Sequence, residues 1–328
     1  MISKTKFAPD AETILRLFDS AGIPGARDIR PLGEGEFSAV YSVRAGERDY
    51  VVKLAPPEHL PILTYERDIM ASELFWYGVM RGQTSIRVPE VYAADDSKSL
   101  VPVNYFIMEL LPGTPLNHAE LTPEEKSACA SELAKMAARM HKVKNNRFGY
   151  PQNGLHESWY AAIRQMTENL LSDCRRVRRR SRRGERLLRE IERNRVILEN
   201  VPCCMVNFDI WEPNIIVSRE NGALHLAWID PERSFWGDSM ADFVCLDFMN
   251  PLEKKTAALA AYNGEADEPV LATPEETIRW AVMQAYLALI METEKYYRYT
   301  LVSFGWWRNV VAAGMLYRSA FRTLHGHR

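Results

Sequence analysis

Residues 206–217 read VNFDIWEPNIIV, and residues 227–230, at the end of the next apolar run, read AWID. Asp209 is followed five positions later by Asn214, and Asp230 closes the second run. Between them Asn221-Gly222 is a tight-turn signal, so the interval Cys203 to Asp230 is expected to form a β-hairpin. A carboxylate, an amide and a second carboxylate in this order form a set that can accept a hydroxyl proton and hold magnesium through hard oxygen ligands. Aspartates are also common turn formers after strands, which leaves a structural role open for both acids.

Outward from this stretch, the other parts that phosphoryl transfer requires are found upstream. Lys53 lies in the apolar run VVKLA, where an ammonium is costly unless it is paired. The helical pattern in LTYERDIMASELFWYGVM supplies two possible partners, Glu66 and Glu73, of which Glu73 is preferred because it lies nearer the strand-like VPEVY. Snorkelling from an edge strand is the alternative for Lys53. Gly33 and Gly35 sit in a strand-turn-strand context, where missing side chains let the backbone approach phosphates, although such turns are often purely structural.

With these residues in place, the chain resembles the aminoglycoside phosphotransferase and choline kinase superfamily. That superfamily carries a catalytic loop of the form His-Gly-Asp, four residues, Asn, ahead of an Ile-Asp strand end. Here the loop is Asn207-Phe208-Asp209 through Asn214 and the strand end is Ile229-Asp230, with resemblance from the glycine turn to Leu246. It implies an α+β, protein-kinase-like two-lobed fold. Residues 1–110 would form a β-rich nucleotide-binding lobe and 111–328 a mainly helical lobe, with a hinge at about 108–113 and the catalytic hairpin at 203–230. It further implies Asp209 as catalytic base, Asn214 and Asp230 as magnesium ligands, and Lys53 on the nucleotide phosphates with Glu73 beside it. Met108 would face the adenine pocket, the backbone of Glu109 and Leu111 would bond the base, and Ser38 stands where the third glycine of the phosphate-covering turn belongs.

The implied reaction is transfer of the γ-phosphoryl group of magnesium-bound ATP, with GTP left open, to a hydroxyl of a small molecule. Aminoglycoside-like antibiotics, amino alcohols and sugars are the implied acceptors. Asn207 replaces the family histidine and Phe208 the family glycine, so an inactive nucleotide-binding regulator is the alternative reading. An Asn amide can still donate and accept hydrogen bonds within the loop. No Ala-Pro-Glu arrangement follows Asp230, which argues against a protein substrate. Asp238, Asp242 and His141 are expected to brace the structure. Trp159, Tyr160, Trp211, Trp236, Trp306 and Trp307 are candidate acceptor walls, with core packing the commoner role of such residues.

Composition bounds the rest. The 328 residues carry a formal charge of -2, so neither nucleic acid nor an anionic membrane surface is expected as a partner. No apolar run reaches the roughly 20 residues that span a bilayer, and no export signal follows the first lysines, so a cytoplasmic location is expected. The five cysteines show no metal-ligand spacing and read as reduced and mostly buried. Residues 175–183 hold seven arginines in nine positions, read as a solvated helix end or mobile loop, with binding of an anionic substrate or nucleic acid as the alternative. Oligomeric state is not legible from these features.

Overall fold

The computed structural model describes residues 7–32, 38–248 and 250–326. Helix α1 (Ala11–Ser20) opens on Asp10, whose carboxylate accepts a hydrogen bond from the Thr13 N–H at 2.8 Å. This side chain satisfies one of the amides a helix start leaves without a partner. Strands β1 (Ala26–Pro31), β2 (Ala39–Ala45), β3 (Arg48–Leu54), β4 (Val91–Asp95) and β5 (Tyr105–Glu109) form one antiparallel sheet in the order β1-β2-β3-β5-β4.

The period-2 alternation of β3 sorts its side chains between the two sheet faces. Tyr50, Val52 and Leu54 pack with Ile14, Leu17 and Phe18 of α1. Val51 joins the main core on the opposite face, with Met108 as its cross-strand partner, and Lys53 lies on that face opposite Phe106. The lysine is thereby buried, 5% exposed, and directed toward the helical part of the molecule.

Helix α2 (Ile69–Gln83) starts later than its apolar spacing suggests. Residues 64–66 make one 3-10 turn, in which the Glu66 carboxylate accepts the Leu63 N–H, and Asp68 at φ 51 re-aims the chain before the helix begins. After the short β6 (Thr114–Pro115), helix α3 (Pro123–His141) begins with a reciprocal capping box between Thr122 and Glu125, as its TPEE start predicts. Helices α4 (Trp159–Arg176), α5 (Arg182–Arg193) and α6 (Arg195–Glu199) follow.

The hairpin is β8 (Ile215–Glu220) and β9 (Ala223–Trp228), turning on Asn221 at φ 51 and Gly222 at φ 82, the left-handed pair that this turn type requires. It is smaller than the Cys203–Asp230 unit expected. Strand β7 (Cys204–Val206), preceding the loop at 207–214, pairs instead with β10 (Phe235–Gly237), so both ends of the candidate site are tied to one small sheet. Gly113 lets β6 approach β8, since a Cβ there would lie 2.3 Å from the Val217 carbonyl oxygen. Helices α7 (Asp242–Cys245), α8 (Thr256–Asn263), α9 (Pro274–Arg298) and α10 (Phe304–Gly326) complete the chain. No described helix is long and apolar enough to cross a membrane.

Candidate active site

Lys53 Nζ donates at 2.6 Å to Glu73 Oε2 and at 2.6 Å to Asp230 Oδ1, with Glu232 Oε2 at 3.5 Å. The strand period turns Lys53 inward, and the late start of α2 places Glu73 one turn inside that helix, facing β3. Tyr77, one further turn along, accepts the Asp230 N–H at 2.9 Å. The alternative partner, Glu66, is directed elsewhere and pairs with Arg298. Burial alone would lower the Lys53 pKa, but Asp230, Glu73 and Glu232 carry it well above the ordinary lysine value, so the ammonium is charged.

Burial raises Asp230, and the Lys53 charge and hydrogen bond overcome this to leave it below the ordinary carboxylate range. Burial pushes Glu73 up to about 7 against the pull of Lys53, and burial with the nearby Asp230 pushes Glu232 up to about 8. Ligand oxygens of Glu73, Asp230 and Glu232 lie within 4.8 Å of one another.

These raised values have a consequence for stability. Below the ordinary value of 4.5 both carboxyls are protonated whether the chain is folded or not; between there and about 8 the unfolded chain releases protons that the folded chain keeps. In buffer without nucleotide or metal, the contribution of this pair to stability should therefore fall as pH rises through that window. Glu232→Gln should flatten the slope of unfolding temperature against pH, and a slope identical to the parent's would refute the assignment.

The loop at 207–214 hangs from Asp242. This fully buried carboxylate accepts the Phe208 N–H at 2.6 Å and the Asn207 N–H at 3.1 Å, and its Oδ2 lies 2.9 Å from His141 Nε2. His141 Nδ1 lies 2.8 Å from the Tyr262 hydroxyl, and Asp238 pairs with Arg279 at 2.9 Å, so all three bracing residues are engaged inside the fold. The Asn207 side chain accepts the Asp209 N–H at 2.9 Å, which holds the loop by a local hydrogen bond. Phe208 lies at φ 57 and is fully buried, its ring edge-on to Phe235 at 5.5 Å and tilted against Tyr286 at 5.9 Å. Asp209 Oδ2 accepts from Asn214 Nδ2 at 2.9 Å, and Asp209 Oδ1 lies 3.7 Å from Arg233. Burial raises the Asp209 pKa, which Arg233 partly opposes.

Met108 is buried on the Lys53 face of the sheet, near the end of β5. Glu109 donates its own N–H to the Glu90 carbonyl at 2.8 Å, and its carboxylate pairs with Arg87 and accepts the Glu90 N–H. Leu111 is buried, and its N–H makes no backbone hydrogen bond among the described residues. Ser38 is buried at the start of β2, whereas Gly33 and Gly35 lie outside the described residues.

Trp159 and Trp236 are core residues at 0% and 6% exposure, whereas Trp211 and Trp307 are exposed. Three residues of the site went unread in the sequence. Glu232 stands two positions after Asp230 in an Asp-Pro-Glu step, which was signal enough to consider it as a third acid. Arg233 and Glu294 pair at 2.8 Å across 61 positions, with Tyr65 donating to Glu294 at 2.9 Å, and no local pattern announces such a contact.

A five-stranded sheet delivering a paired lysine, a helical region delivering an aspartate-asparagine loop, and a second aspartate beside the lysine define a kinase-like phosphotransferase. The sequence profile of APH, the phosphotransferase enzyme family, matches residues 28–276, and the chain belongs to that family. Its two-lobed fold recurs in the structure of the gentamicin-APH(2'')-IIa complex, at TM-score 0.61 and 20% identity over 94% of this chain and 96% of that one. A microcompartment-associated aminopropanol kinase aligns at TM-score 0.61 and 17% identity, over 97% and 98% of the two chains. Spectinomycin phosphotransferase APH(9)-Ia, in complex with ADP and spectinomycin, aligns at TM-score 0.60 and 11% identity, over 97% and 99%. No curated protein sequence matches the chain. The expected fold and the expected enzyme class, a kinase, both hold.

Proposed function

We propose that this protein transfers the γ-phosphoryl group of ATP to a hydroxyl of a small molecule, with Asp209 as the base and magnesium at Asp230. The observation that carries this reading is the placement of Asp209, held between Asn214 and Arg233 at 22% side-chain exposure, so that its carboxylate is fixed yet reachable. The Asp209 carboxylate takes the acceptor's proton as that oxygen bonds to the γ-phosphorus and the bond to the bridging oxygen breaks. Lys53, braced by Glu73, binds phosphate oxygens.

The donor set suits magnesium: carboxylates of Asp230 and Glu232 lie together, and Asn214, whose amide nitrogen is committed to Asp209, has its amide oxygen left for a cation. When bound, magnesium neutralises phosphate charge. Residues 1–110 serve as the nucleotide lobe and 111–328 as the acceptor lobe, joined at 108–113, where the Glu109 carbonyl and the Leu111 N–H meet the base beside Met108. Ser38 and the turn at Gly33 and Gly35 cover the phosphates. The acceptor is drawn from the amino-alcohol, sugar and aminoglycoside-like classes, in line with the ligands and substrates named for the structural neighbours. A cytoplasmic setting fits the five free cysteines.

A nucleotide-consumption screen with magnesium over a panel of hydroxyl metabolites and antibiotics tests the proposal. Lys53→Met should raise the nucleotide KM tenfold or more while the protein still folds. Parental turnover by that variant would overturn the nucleotide-site assignment.

A further inference from the structure

The seven arginines of residues 175–183 are exposed, as a solvated helix end requires, and two of them, Arg182 and Arg183, also border a groove. Arg182, Arg183 and Arg186 of α5 face Arg318 and Arg322 of α10 across an open groove of about 510 Å³. None of the five makes a salt bridge among the described residues. The acids nearby are engaged: Glu185 pairs with Arg180 at 2.6 Å, and Glu292 accepts from Ser181 at 2.8 Å and from Tyr317 at 2.9 Å. The groove floor is aromatic. The Arg186 guanidinium lies 4.0 Å from the Phe321 ring centroid and that of Arg183 lies 5.5 Å from Tyr317, both rings being buried. Stacking engages the faces of these two guanidiniums, and it is their N–H edges that bind oxyanions bidentately. One N–H of Arg186 is also directed at His325 Nε2.

Like charges crowded into one concavity repel unless an anion joins them, and the spacing limits the anion's size. Each helix presents its arginines over four residues, about 6 Å of helix axis. That length matches a short run of phosphates, whereas a nucleic-acid footprint needs a longer cationic track. We infer that the α5–α10 groove is a binding site for a soluble oligophosphate, separate from the candidate active site and sharing no residue with it.

Calorimetry of the full chain with inorganic tripolyphosphate, in magnesium-free buffer, tests this. Binding should persist in Lys53→Met, which disables the nucleotide site, and weaken at least tenfold in Arg318→Ser/Arg322→Ser, whose side chains are exposed and unpaired. Gly314→Glu should also abolish it, because a Cβ there lies 3.9 Å from Arg183 Nη1 and the new carboxylate can occupy the groove. Unchanged unfolding temperatures would show that these variants fold. Affinity unaffected by both sets of groove substitutions overturns the inference. So does arginine-dependent capture of phosphatidylserine vesicles or a single-stranded oligonucleotide in preference to tripolyphosphate, which would make the groove a surface for a macromolecule.

Discussion

Asp209→Asn should bind magnesium nucleotide as the parent does and lose turnover by roughly a hundredfold to ten-thousandfold, the range for a positioned general base. The substitution is nearly isosteric and leaves the loop's supports in place: the Asp242 contacts to the Asn207 and Phe208 amides and the Asn207 bond to the residue 209 N–H are made by other atoms. What changes is the carboxylate that faces Arg233 and that, under the proposed function, would take the acceptor's proton. Single-turnover phosphorylation of an identified acceptor, compared with nucleotide calorimetry, separates the two steps. Retained turnover would remove Asp209 from the chemistry.

Asp230→Asn should behave differently, losing magnesium-dependent nucleotide affinity as well as rate, on the order of a hundredfold to a thousandfold for one preorganised charged group. Asn is among the residues that tolerate the left-handed conformation found at this position, φ 60, so the backbone survives the change. The lost charge matters twice, because Asp230 pairs with Lys53 at 2.6 Å and, under the proposed function, would be the carboxylate that holds the metal. Nucleotide titrations with and without magnesium should show the two variants diverging. If they titrate alike, or if the parent protein binds nucleotide and phosphorylates nothing in a broad panel, the regulator reading gains and Asn207 is the residue to restore to histidine.

Much of this site was legible because the information is local. Strand alternation placed Lys53 on the inner face, the Asn-Gly pair fixed the hairpin turn, and Asp209 to Asn214 spans one loop whose two ends hydrogen-bond each other. The choice between Glu73 and Glu66 came out as expected, yet for a reason absent from the periodicity: Asp68 breaks the helical run and sends the two carboxylates to different partners. Contacts distant in sequence were not readable. The pairing of β7 with β10, the Arg233–Glu294 bridge and the arginine groove each join segments whose meeting is fixed only by packing of the whole helical region. Tryptophan types likewise gave no sign of which would be core and which exposed.

Phe208 makes the loop at 207–214 depend on the packing beneath it. A bulky residue in the left-handed region carries roughly 1–2 kcal/mol of backbone strain that glycine would not. The conformation is held by a ring wedged against Phe235 and Tyr286 and by the Asp242 carboxylate beneath. The loop's shape is therefore set from the interior outward, and repacking at Tyr286, a residue of α9 that is not part of the reaction centre, would reach the aspartate's aim through Phe208. Substitution in this part of the hydrophobic interior should therefore be felt in the position of Asp209 as well as in stability.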